Sequence, residues 1–190
     1  GVYENDGQLK WRASAVVDRN NKVWVTTYAT NMLYRIDGYS GAIEDKFSTS
    51  GIEHRSYTST IDRDGIMWSV DRDDDELARI DIRQSTPQMN VFKNINGYGV
   101  AADDSDGVYT SDAFKNNQCY LTRFNRKTLS VDWKVPAPYL ARGVGLINDS
   151  TVWAVSSGDM VIWSYARDGR LNDSIRVRAG HNNTGNGLTG

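Results

Sequence analysis

One pattern recurs four times along this 190-residue chain and limits what it can become. Aliphatic–aromatic pairs stand at Val23-Trp24, Met67-Trp68, Val108-Tyr109 and Val152-Trp153, spaced by 44, 41 and 44 residues. Each follows a polar turn, such as Asp62-Arg63-Asp64-Gly65 or Asp103-Asp104-Ser105-Asp106-Gly107. A second register runs in phase through Tyr34-Arg35-Ile36-Asp37, Ala78-Arg79-Ile80-Asp81, Thr122-Arg123-Phe124-Asn125 and Trp163-Ser164-Tyr165-Ala166. A looser third register ends each unit at Phe47, Phe92, Trp133 and Val177. A chain with such a period is built from repeated supersecondary units that must stack to bury a core.

Each unit reads as four short strands separated by turn residues, and no segment carries apolar residues at helical spacing. The first strand is small and apolar, as in Ala15-Val16-Val17 or Val100-Ala101-Ala102. The second carries the aromatic, the third the Arg-Ile-Asp pattern and the fourth a Phe or Trp. Four strands in roughly 40–45 residues is the pattern of a propeller blade. Small residues suit the innermost strand, where blades converge; large aromatics on the second strand suit the wider space between blades. The expected fold is therefore an all-β propeller with four complete blades, over about residues 13–54, 55–97, 98–141 and 142–184.

The repeat resembles the streptogramin-lyase-like and NHL-type β-propellers. The best match runs from Val17 to Phe47 and includes Trp24, Asn31, Leu33, Arg35, Ile36, Asp37, Ser40 and Gly41. The second unit keeps Gly65, Trp68, Leu77, Arg79, Ile80 and Asp81. The third and fourth diverge further. The resemblance covers roughly residues 12–190 and implies a fold more sharply than an activity.

The ends carry an expectation of their own. Residues 1–12 include Leu9-Lys10-Trp11-Arg12, which reads as the outer strand of a preceding blade. Residues 185–190 open like the first strand of a following one. The chain is thus expected to be a fragment of a larger propeller; a small closed propeller with unusually paired termini is the alternative.

Composition removes several function classes. Twenty-two Lys and Arg against 24 Asp and Glu leave a net charge of −2. That lacks the basic stripe of a nucleic-acid grip. No apolar run approaches the roughly 20 residues of a membrane span. Cys119 is the lone cysteine, so no internal disulfide forms, and it reads as a small buried packing residue.

Three constellations are candidates for chemistry. The Asp-Gly turns at 62–65 and 104–107 resemble half of a calcium loop, but lack the distant glutamate; the hairpin-turn reading is preferred. The run Asp71-Arg72-Asp73-Asp74-Asp75-Glu76 follows a second strand, and Asp71, Asp73 and Asp75 are weak candidates for holding Ca or Mg. A solvated charged loop is the preferred alternative. Arg12, Arg55 and Arg142 fall near equivalent entries to first strands, His54 and His181 lie in loops leading there, and Tyr57, Tyr98 and Tyr139 lie nearby. Arg12, Arg55, Tyr57, Tyr98, Arg142 and His181 form the candidate ligand set, at a channel mouth suited to a carboxylate or a sugar. Pairing of these arginines with neighbouring acids carries equal weight.

The lyase relatives use His and Glu with a magnesium ion, and lactonase-type propellers use calcium. Neither His54 nor His181 aligns with a glutamate in a repeated strand, so no catalytic residue is transferred. No nucleophile elbow, P-loop, His-Glu-x-x-His or zinc-spaced cysteine pair is present. The leading expectation is a non-catalytic binding or scaffold propeller of a larger, exported bacterial protein, extracellular or periplasmic, with a protein or glycan partner and no cofactor. A metal-dependent lyase or lactonase and an extracellular sensor propeller are the alternatives.

Overall fold

The computed structural model describes residues 13–27, 30–49, 54–112, 118–147, 150–158 and 160–177. These residues form sixteen strands and no helix. The first sheet holds β1 (Ala13–Val17), β2 (Lys22–Thr27), β3 (Met32–Asp37) and β4 (Ile43–Ser48). The second holds β5 (Thr58–Ile61), β6 (Ile66–Asp71), β7 (Glu76–Asp81) and β8 (Gln88–Lys93). The third holds β9 (Gly99–Ala102), β10 (Gly107–Ser111), β11 (Cys119–Asn125) and β12 (Ser130–Ala137). The fourth holds β13 (Ala141–Ile147), β14 (Thr151–Ser156), β15 (Val161–Ala166) and β16 (Leu171–Arg176). Each sheet is an antiparallel meander in chain order, which makes it a propeller blade. The fold is an all-β propeller of four blades.

The sequence repeat fixes the register within each blade. Trp24 faces Arg35, Trp68 faces Arg79 and Tyr109 faces Arg123 across the second and third strands. The guanidinium carbons of Arg35 and Arg123 lie 5.8 and 5.9 Å from the rings of Trp24 and Tyr109. The closing Asp or Asn of the third strand shapes the next turn. Asp37 Oδ1 accepts from the Ser40 amide at 2.8 Å, and Asn125 Oδ1 from the Lys127 amide at 3.0 Å. These Asx turns favour the hairpin over any other continuation.

No blade owns its core. The three apolar clusters each straddle an interface between consecutive blades. Trp24 and Leu33 pack on Met67, Ala78, Ile80 and Ile82; Trp68, Val70 and Leu77 pack on Val100, Val108 and Phe124. Tyr109 and Leu121 pack on Val152, Ala154 and Tyr165. Trp24, Trp68 and Tyr109 thus fill the space between blades, the role their position predicts, whereas Trp153 of the fourth blade is only half-buried and joins none of these clusters. Outer strands face water, and every residue of β16 is exposed. Inner strands stand so close that a methyl group on Gly99 would meet the Arg142 carbonyl oxygen at 2.7 Å.

A polar latch ties consecutive blades at one end of the strands. The Asp62 carboxylate accepts the Asp64 and Ile66 amides on Oδ1, at 2.9 and 3.0 Å, while Gly65 takes φ +76 to close the turn. Its Oδ2 accepts the Trp68 indole N–H at 2.8 Å. Asp103 repeats this with the Gly107 amide at 2.8 Å and the Tyr109 hydroxyl at 3.0 Å. Both carboxylates are buried, and each is neutralised by an arginine from the following blade. Arg126 Nη1 lies 2.9 Å from Asp62 Oδ2, and Arg167 Nη2 lies 2.9 Å from Asp103 Oδ2. Arg126 Nη1 makes no hydrogen bond at this contact, so it is charge pairing. The Asp-Gly turns are therefore hairpin turns with a second task, and not cation loops.

Removing one partner of a buried ion pair strands the other charge, which costs about 3–5 kcal/mol. Arg126→Met is expected to lower unfolding free energy by roughly this amount, and Asp62→Asn in the Arg126→Met background is expected to restore part of it. Chemical denaturation of the four proteins in this cycle measures both.

Candidate functional site

The opposite end of the strands carries the candidate chemistry. In blade two, Asp71 closes β6, Glu76 opens β7 and Lys93 closes β8. The antiparallel registers pair Asp71 with Glu76 and Glu76 with Lys93, so three charged residues stand in a row across the blade. His54 joins them from the segment that leads into β5. His54, Asp71 and Glu76 are all buried, and one ligand-capable atom from each lies within 4.8 Å of the others.

Each group in this cluster has a defined duty. His54 Nδ1 lies 3.3 Å from Glu76 Oε2, and the Lys93 ammonium pairs with Glu76 Oε1. Asp71 Oδ2 accepts the Arg55 amide at 2.8 Å; its Oδ1 accepts the amides of Asp73 and Asp74 at 2.9 and 3.2 Å. Asp75 adopts φ 55, which turns the chain back into β7. Burial pushes the His54 imidazole below its ordinary value of 6.5, against the opposing pull of Glu76 and Asp71. A neutral ring that donates from Nδ1 to Glu76 would keep a lone pair on Nε2. That buried nitrogen has no hydrogen-bond partner among the described residues.

The donor set suits a divalent cation in its chemistry and not in its occupancy. Hard cations need several carboxylate oxygens turned toward one point. Here both Asp71 oxygens already accept backbone amides, and both Glu76 oxygens are engaged by His54 and Lys93. An incoming ion would have to displace the Lys93 ammonium, which already supplies positive charge to Glu76. The Lys93 ammonium on Glu76 therefore weighs against a resident metal in this cluster.

The sequence-predicted site residues separate into three groups. Arg12 and His181 lie outside the described residues. Asp71 enters the buried cluster, whereas Asp73 pairs with Arg72 at 2.8 Å on the exposed side, and Asp75 serves the turn. Arg55 pairs with Asp74 Oδ2 at 2.6 Å, with Asp71 Oδ2 at 3.7 Å. Tyr57, Tyr98 and Arg142 do meet. The two hydroxyls are hydrogen-bonded at 2.6 Å, and the rings stand edge to face with centroids 4.6 Å apart. Arg142 lies 5.6 Å from the Tyr98 ring, and Arg72 lies 5.3 Å from that of Tyr57. The result is a half-buried row, Arg72–Tyr57–Tyr98–Arg142, crossing blades two to four at the mouth of the inner strands. Thr58 Oγ1, donating to the Tyr98 carbonyl at 2.6 Å, holds the two segments together.

Sequence reasoning missed the meeting of His54 with Glu76. The hairpin signals only the Asp71–Glu76 pairing, since the four-residue loop between them puts both carboxylates at one end of the blade; His54 arrives from outside it.

No family model and no curated protein matches the sequence. Solved structures do match. A virginiamycin B lyase from Staphylococcus aureus superposes with a TM-score of 0.73 at 15% identity, over 92% of this chain and 58% of that one. Hydrazine synthase from Kuenenia stuttgartiensis gives 0.72 at 12% identity, over 92% and 53%. A putative 6-phosphogluconolactonase from Bacteroides uniformis gives 0.69 at 13% identity, over 86% and 54%. The chain is a β-propeller. Its fold is like that of streptogramin lyase, and it spans little more than half the length of these structures.

The depressed His54 pKa has a signed consequence. Below the ordinary imidazole value the unfolded chain takes up a proton that the folded chain refuses. The stability contributed by neutral His54 is full above pH 6.5 and declines as pH falls toward its depressed folded value. The melting temperature is expected to fall between pH 6.5 and 5, and His54→Asn, which keeps a donor near Nδ1, is expected to flatten that slope. Thermal unfolding across this window, followed by circular dichroism, checks both.

Proposed function

We propose that the chain is a non-catalytic binding propeller, part of a larger ring, that presents the inner-strand mouth to a protein or glycan partner. The observation that carries this reading is the row Arg72–Tyr57–Tyr98–Arg142. Aromatic faces flanked by guanidinium groups suit a sugar ring or side chain bearing a carboxylate. Three blades contribute to the row, so it does not depend on a single loop. The loops that follow the second strands differ from blade to blade in composition, which favours recognition of an irregular surface. The larger ring is supported by the share of the matched propellers that the chain covers.

A metal-dependent enzyme of the lyase or lactonase kind is the second reading. The convergence of His54, Asp71 and Glu76 favours it; the Lys93 ammonium on Glu76 weighs against it. Titration with manganese separates the two. Binding heat that disappears in Glu76→Gln would support the enzyme.

An array of acidic and neutral glycans and peptides, probed with the full chain, tests the binding reading. Carboxylate-bearing members are expected to be retained over neutral ones. Arg142→Ala is expected to weaken the best of them about tenfold or more, the usual loss at a stacked arginine anchor. Arg55→Ala is expected to have little effect, since its charge is spent on Asp74. Unchanged affinity in Arg142→Ala and in Tyr98→Ala would remove the row from the site.

A further inference from the structure

The latch between blades is present at two interfaces and incomplete at the third. In blade two, the following arginine reaches the first and third residues of the turn: Arg126 lies 2.9 Å from Asp62 and 3.4 Å from Asp64. In blade three, Arg167 reaches the equivalent pair, Asp103 and Ser105. Blade one offers the same pair as Asp18 and Asn20. Asp18 is prepared in the same way, with Oδ1 accepting the Asn20 and Lys22 amides at 2.8 and 2.9 Å, and Oδ2 accepting the Trp24 indole at 2.9 Å. The residue that would supply the arginine is Ile82, which packs into the apolar cluster beneath Trp24. Among the described residues, no cation pairs with Asp18.

A cleft of about 590 Å³ lies at this position, lined by Asp18, Asn20, Trp24, Glu44, Ile82 and Arg83 among others. Arg83 stands on its rim but is forked onto Asp81, with Nε–Oδ1 at 2.8 Å and Nη2–Oδ2 at 2.6 Å. The chain thus carries a carboxylate organised by its turn, an open volume beside it, and two filled copies of the same arrangement.

We propose that this cleft is a receptor for an arginine side chain of a partner polypeptide, held by Asp18 and Asn20 as Asp62 and Asp64 hold Arg126. It lies at the opposite end of the strands from the tyrosine–arginine row and is independent of that site. Arginine is favoured over lysine because a planar fork can reach two turn residues at once and lie against an indole. A polypeptide is favoured over the free amino acid because in both filled copies the turn holds only the guanidinium of an arginine set in a chain, with no group that receives its α-ammonium or α-carboxylate.

The test uses the full chain labelled with ¹⁵N and the indole N–H signals of Trp24 and Trp68 as reporters. Acetyl-arginine amide is expected to shift the Trp24 signal saturably, with roughly millimolar affinity for so small a probe, and to leave Trp68 unmoved. Acetyl-citrulline amide, neutral and of similar shape, is expected to do neither. Asp18→Asn should weaken the effect at least tenfold, and Ile82→Arg should abolish it by filling the cleft from within. A still Trp24 signal, equal responses to citrulline, equal shifts at Trp68, or undiminished binding in Asp18→Asn would each overturn the proposal. Free arginine is expected to bind more weakly than the capped form; tighter binding would overturn the polypeptide source.

Discussion

A four-stranded antiparallel sheet cannot bury its own faces, and this constraint organises the whole molecule. Every large buried aromatic on a second strand needs the neighbouring blade as well as its own to be covered. Stability therefore resides in interfaces, and each blade is held only as firmly as its two joints. The carboxylate latch follows from the same constraint. A turn that must carry an indole or phenol hydrogen bond at a buried joint also buries a negative charge, and a guanidinium from the next blade neutralises it where solvent cannot.

The two ends of the strands divide the labour. At one end, short hairpins are spent on joining blades. At the other, segments entering the inner strands carry side chains with freedom to differ, and the polar residues there vary from blade to blade. Blade two places His54, Asp71, Glu76 and Lys93 at this end, a set whose charges are mutually satisfied. Blades two to four share the tyrosine–arginine row. The first is built to stay closed, and the second stands half open. That contrast is what supports the proposed recognition role of this face.

The blades were legible in the sequence because strand alternation and turn chemistry are local and repeat in phase. Trp24, Trp68 and Tyr109 declared both their strand and their neighbour. Tyr57, Tyr98 and Tyr139 were readable as one set because 41 residues separate each from the next, but the spacing did not say that Tyr57 and Tyr98 bond to each other. Nor was the partner of Arg55 readable, since its pairing with Asp74 depends on the shape of a loop, not on spacing. The His54–Glu76 contact depends on how blade curvature brings an entering segment over a hairpin, which no period encodes. The latch arginines also escaped notice. Arg126 and Arg167 hold equivalent positions, but Gly38 and Ile82 occupy the same place in the other two blades and break the pattern.

That broken pattern gives the joints different thermal characters. Between blades two and three, and between three and four, an ion pair and an apolar cluster act together. Between blades one and two, Ile82 leaves apolar contact alone at the equivalent point. Apolar burial weakens on cooling, whereas the desolvation penalty of a paired charge eases on heating. Cooling is therefore expected to loosen the joint between blades one and two before the other two, where a charge pair adds to the apolar contact.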